Sequence, residues 1–141
     1  PEYVITIMRR MMYRIAEKVA HERKAKIIIN GESIGQVASQ TLSSISVINA
    51  VTNMPVIRPV ACMDKLEIIS LAEKIGTYTT SILPYEDCCT IFLPKHPVIH
   101  PNLERVLNFE KNFDFESLVD ECVRNKETIT SFEDDEFEDL L

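Results

Sequence analysis

The feature that most constrains this chain is a change of hydrophobic period, repeated along its first hundred residues. Residues 6–23 place Ile7/Met8, Met11/Met12, Ile15 and Val19 at helical spacing, with Arg9, Arg10, Arg14 and Lys18 elsewhere. This predicts an amphipathic helix with a solvated basic face. The β-branched run Ile27-Ile28-Ile29 follows, short enough for a buried strand. Ser33 with Gln36 three residues later reads as the capping box of a second helix, apolar at Ile34, Val37/Ala38, Thr41/Leu42 and Ile45. Pro55 to Val60 reads as a second strand. Helix, strand, helix, strand and helix in that order are the grammar of a parallel α/β sheet with flanking helices. Two strands do not complete such a sheet. The missing strands are expected upstream of Pro1, or from another copy, and the start without Met agrees with a piece of something larger.

The third helix is announced by Asp64, with Glu67 in the capping-box position and Met63 and Ile68 placed as a hydrophobic staple. It should stop at Gly76, a natural C′ residue. Residues 77–100 read as irregular, broken by Pro84, Pro94 and Pro97. Pro101 suits the first turn of a helix over Leu103, Val106 and Leu107. Asp114 caps a last one, with Phe115, Leu118/Val119 and Cys122 in line, which predicts a core position for Cys122.

Charge divides the chain unevenly. Of 22 acids, seven lie in residues 127–141, where there is no base; the rest of the chain carries 15 of each sign. The end therefore reads as a solvated acidic tail, and the net charge of −7 hides a body that can meet a polyanion. Residues 1–26 carry seven bases against three acids. No apolar run approaches the ~18–20 residues of a membrane span, and no signal peptide is visible at the start. The four cysteines, at 62, 88, 89 and 122, match no zinc spacing. They fit a reducing compartment, the cytoplasm.

In open α/β sheets ligands gather beyond the carboxyl ends of the strands. After the first strand stands Asn30-Gly31-Glu32-Ser33, where Gly31 lets a ligand approach the backbone and the next helix start favours negative charge. The same residues also make an ordinary tight turn with a cap. Gln36, Ser39 and Gln40 lie on the polar side of that helix and can meet a base or ribose. After the second strand, Lys65 falls in a first helical turn, against the macrodipole, as a phosphate contact or a solvated surface lysine. Arg9 and Arg10 can hold phosphates or simply face water. Cys62 reads as small and buried. Tyr85-Glu86-Asp87-Cys88-Cys89-Thr90 places a loop thiol beside a resolving partner, though the adjacent acids raise its pKa. His96 and His100 read as loop residues.

The string Gly31-Glu32-Ser33-Ile34-Gly35-Gln36-Val37-Ala38-Ser39-Gln40-Thr41 is highly specific. With Arg58-Pro59, Met63-Asp64-Lys65, Lys74-Ile75-Gly76-Thr77 and Pro84 to Thr90, it resembles the tRNA 4-thiouridine synthases, the ThiI proteins of thiamine biosynthesis, over roughly residues 1–130. The resemblance implies a Rossmann-like pyrophosphatase-loop adenylation domain that uses ATP and magnesium to adenylate a tRNA uridine. A cysteine desulfurase then supplies persulfide sulfur for 4-thiouridine, and the same sulfur route serves the thiamine thiazole. It assigns nucleotide contacts to Arg9, Gly31 and Gln40, a role in modification to Lys65, and the sulfur-transfer step to Cys88. Glu32, Ser33 and Cys89 gain little from it. The Ser-Gly-Gly-x-Asp-Ser loop and any RNA-binding module are absent, and both are expected before Pro1, where most ATP and magnesium contacts would lie. There is no room for a rhodanese domain, so a separate desulfurase is the expected donor.

The implied organisation is residues 1–100 as the C-terminal part of the adenylation domain, 101–126 as its last helices, and 127–141 as the acidic tail. A homodimer stays open. The alternatives are another adenylating enzyme of the same loop class, such as a 2-thiouridine synthase or an amidotransferase-type ligase, and a non-catalytic docking module.

Overall fold

The computed structural model describes residues 2–85, 94 and 96–129. Among them, α1 (Val4–Glu22) leads into β1 (Ile28–Ile29), a 3-10 turn (Ala38–Gln40) and α2 (Leu42–Asn49). Then come β2 (Val56–Ile57), α3 (Lys65–Lys74) and α4 (Tyr78–Ser81), followed by α5 (Leu103–Glu110) and α6 (Phe115–Arg124). The two strands pair in parallel, Ile28 with Val56 and Ile29 with Ile57. The expected α/β order is therefore present, as a helix-rich unit around a two-stranded parallel sheet.

The central element is α1, which packs against α2, α5, α6 and β1. Its attachment differs from expectation. The buried positions are Thr6, Arg10, Tyr13 and Ala20, whereas Met12 is 50% exposed. Arg10, expected to face water or phosphate, is 2% exposed. It donates from Nε and Nη2 to the two oxygens of Glu110 at 2.7 and 3.0 Å and from Nη1 to the Val47 carbonyl. Arg14 grips the same carboxylate at 2.8 and 2.9 Å and lies over the Phe115 ring at 4.1 Å. One turn on, Lys18 pairs with Asp120. The basic face of α1 is thus the seam to α5 and α6. Two bidentate guanidiniums around one carboxylate compensate the desolvation that would otherwise oppose burial of these charges.

Beside this seam a small apolar core joins Tyr3, Val47 and Val106, with Ile7 and Val98 against it. The Tyr3 and Phe109 rings meet at 5.3 Å.

Local signals for α3 and α6 hold. Asp64 accepts from the backbone of Leu66 and Glu67 at 2.8 and 2.9 Å, and Glu67 returns the bond to the Asp64 N–H at 2.8 Å. Gly76 has φ of +76°, the left-handed C′ conformation that favours glycine. Asp114 caps α6 by accepting from Ser117 N at 3.1 Å.

Other expectations need correction. The second helix starts at Leu42, capped by Thr41, because Ser33 donates its hydroxyl to the Met63 carbonyl at 2.7 Å. Gly35, at φ +82°, turns the chain so that its N–H reaches the Gln40 carbonyl at 2.9 Å. The strand is not buried. Ile29 is 61% exposed, since no third strand pairs with β1 among the described residues. Within the irregular segment, Tyr78–Ser81 form a helical turn. Asn102 rather than Pro101 opens α5, accepting from Arg105 N at 3.0 Å. Cys62 and Cys122 are both exposed. On α6 the buried residues are Val119 and Val123, and Cys122 lies off that i, i+4 line. No helix among the described residues is long and apolar enough to cross a membrane.

Candidate functional site

Beyond the carboxyl ends of β1 and β2 the chain gathers a polar cluster around one carboxylate. Glu32 is 4% exposed. Its Oε2 accepts from Arg58 Nε at 2.6 Å, Asn30 Nδ2 at 3.0 Å and the Tyr13 hydroxyl at 3.1 Å. Its Oε1 accepts from Arg9 Nη2. The Glu32 N–H in turn donates to Asn30 Oδ1 at 3.1 Å, fixing the turn after β1. Arg58 also donates to the Tyr13 hydroxyl at 3.1 Å and to Asn49 Oδ1 at 2.8 Å. Four donors offset the water that burial takes from this carboxylate.

The loop from Gly31 to Thr41 closes over this cluster. Arg9 Nη1 donates to the Ser39 carbonyl at 3.1 Å and to its hydroxyl at 3.2 Å. The Gln40 side-chain oxygen accepts from Ser33 N at 3.4 Å. The Ile34 N–H donates to the Ala61 carbonyl at 2.9 Å, so the loops after both strands are stitched together. A groove of about 240 Å³ runs beside β1, lined by Arg9, Met12, Tyr13, Ala16, Ile28, Ile29 and Asn30.

Of the residues singled out in the sequence, Arg9, Gly31 and Gln40 therefore share one loop cluster. A Cβ added at Gly31 would meet nothing within 4 Å, so the space before that backbone is open. Lys65 is exposed at the first position of α3, two residues beyond the Met63 carbonyl that Ser33 grips. His100 Nδ1 lies 3.2 Å from the Ser43 hydroxyl. Cys88 and Cys89 lie outside the described residues, as do residues 130–141 of the acidic tail. Glu32 and Arg58 carry no local sequence signal of this cluster, because their partners lie 9 to 45 positions away, apart from Asn30 and Val56. Among the described residues the fit to magnesium is poor. No group of three His, Cys, Asp or Glu among the described residues could hold a metal ion, and Glu32 is already saturated with donors.

These features define a parallel α/β protein with its polar cluster at the strand ends, where such sheets take ligands. The family model described as "Thiamine biosynthesis protein (ThiI)" matches residues 1–115, and the chain belongs to that family. A solved structure described as a 4-thiouridine synthetase–RNA complex with bound ATP is 42% identical, with a TM-score of 0.81. The match covers 89% of this chain and 33% of that one, so this chain spans about a third of its relative's length.

Proposed function

We propose that this chain is the C-terminal part of the adenylation domain of an ATP-dependent tRNA sulfurtransferase that makes 4-thiouridine and feeds sulfur to the thiamine thiazole. The observation that carries this reading is that Arg9, Gly31 and Gln40 converge at the carboxyl end of β1 in a chain of the ThiI family. The solved relative with bound ATP and RNA supports ATP and tRNA as ligands.

In this reading the uridine oxygen attacks the α-phosphate of ATP and pyrophosphate leaves. That turns a poor leaving group into AMP, and persulfide sulfur, a strong nucleophile near neutral pH, then displaces it. Arg9 offers a guanidinium to the nucleotide, while Gly31 and Gln40 supply an open backbone face and an amide. Lys65 brings a cation to the same end of the sheet. Cys88 serves the sulfur step, where a thiol is needed to break a sulfur–sulfur bond by exchange. A cysteine desulfurase supplies the sulfur in the cytoplasm. Residues 1–126 act as one unit, supported by the pairing of Glu110 and Asp120 with α1, and 127–141 form a tail. The exposed edge of β1 supports a Rossmann-like sheet continued by strands from elsewhere in the protein, together with the pyrophosphate loop and the principal magnesium ligands. The 141-residue chain alone is then inactive.

The test uses the full-length polypeptide, measuring AMP release and the thiolated-nucleoside content of tRNA. Cys88→Ser should abolish 4-thiouridine formation and leave adenylation intact, while Cys89→Ser is tolerated, because neighbouring residues of an extended segment project to opposite sides. Normal thiolation by the Cys88 variant, or equal failure of both, would overturn the assignment.

A further inference from the structure

We propose that Glu32 is a positioning residue for the nucleotide site: it holds the Arg9 guanidinium at the carboxyl end of β1, and Arg58, Tyr13 and Asn30 hold Glu32. The inference rests on the reading that Arg9 contacts the nucleotide.

The carboxylate is used asymmetrically. Three donors, from Arg58, Asn30 and Tyr13, converge on Oε2 at 2.6 to 3.1 Å. Oε1 accepts from Arg9. A carboxylate pinned through one oxygen cannot rotate about its own axis without breaking three hydrogen bonds, so the direction of the other oxygen is set. Arg9 is fixed at its second nitrogen by Ser39, near the far end of the Gly31–Thr41 loop. The guanidinium thus bridges the two ends of the loop that carries Gly31 and Gln40. Its helix is held independently, since the adjacent Arg10 is locked to Glu110.

A buried carboxylate with four donors is a costly way to build a turn, and an apolar residue of similar volume would often serve stability as well. Its distinctive contribution is orientation. An arginine whose fork is already placed loses less side-chain freedom when it meets an anion. A displacement of about 1 Å in a positioning group can cost roughly 100-fold in rate.

The experiment measures ATP-dependent AMP formation on tRNA by the full-length polypeptide, for Glu32→Gln, Arg9→Ala and the double variant. Glutamine keeps the size but must turn an amide N–H toward one of the two arginines. We expect kcat to fall about 10- to 100-fold with Glu32→Gln while the ATP KM moves less than about threefold. We expect the double variant to match Arg9→Ala alone within about threefold, because Glu32 acts through Arg9. Tyr13→Phe removes one donor to Oε2 and keeps the ring; it should give a smaller fall in kcat that also vanishes in the Arg9→Ala background. It serves as the arbiter if Glu32→Gln does not fold. Losses that multiply in the double variants would overturn the inference while leaving the sulfurtransferase reading standing. Full activity of Arg9→Ala beside a damaged Glu32→Gln would do the same. A native polypeptide that forms no AMP would remove the reading itself, and the inference with it.

Discussion

The two faces of α1 are held in opposite ways. On one, Arg10, Arg14 and Lys18 are tied to Glu110 and Asp120 of α5 and α6. On the other, Met12, Ile15, Ala16 and Val19 border an open groove of about 530 Å³, completed by Ile27 and Ile28 of the β1 side. The helix is anchored by its charges and leaves its oily stripe half uncovered. That inverts the usual division of an amphipathic helix. The ionic seam holds the last two helices, while the apolar stripe beside β1 stays open.

The comparison is broken most directly at Glu110. Replacing it by alanine leaves Arg10 buried without its carboxylate, and loss of one partner of a buried pair costs about 3–5 kcal/mol. Urea unfolding should show a loss of that order. A loss below about 1 kcal/mol would mean that the seam is held by packing of Phe115 and Val119 instead.

Acid probes the same seam without mutation. Burial by itself pushes the Glu110 carboxyl up, but hydrogen bonds from Arg14 and Arg10, and the charges of both, outweigh it and hold the group at about 2 against an ordinary 4.5. A carboxylate depressed in the folded state stabilises the fold above its unfolded pKa. That contribution is lost as pH falls from about 4.5 through about 2, and is on the order of 3 kcal/mol. Unfolding free energy measured across that window should decline in the native protein and decline less in Glu110→Gln. Parallel pH profiles would show that other carboxylates carry the acid sensitivity.

The same contrast explains what could be read beforehand. The Asp64–Glu67 box, the Gly76 stop and the Asp114 cap were legible because each is complete within four residues, and the parallel strand order followed from the alternation of periods. Ser33 and Gln36 offered an equally good local box, and it failed because the Ser33 hydroxyl has a better acceptor thirty residues away at Met63. Arg10 looked solvated because its acid lies a hundred positions later. Cys122 looked buried because the apolar stripe of α6 is broad, whereas only Val119 and Val123 are covered. At the site, the specific Gly31–Thr41 string marked the loop that closes over the Glu32 cluster. It could not show that Glu32 organises that loop, since its partners come from α1 and from beyond β2.

The smallest effect is expected on the open face, and it is the one that sharpens the comparison. Met12 is half exposed, so truncation to alanine removes little buried area, and alanine is the better helix former. In the 141-residue chain Met12→Ala should change the unfolding free energy by less than about 1 kcal/mol. If the groove is roofed by further strands in the full-length polypeptide, the same side chain becomes interior there, and truncation should cost about 2–5 kcal/mol. Denaturant unfolding of both proteins, each with and without the substitution, separates the cases. A cost that stays below about 1 kcal/mol in both would show that the apolar stripe remains open, and that the ionic seam and the Ile7 contacts, not a roof over Met12, anchor α1.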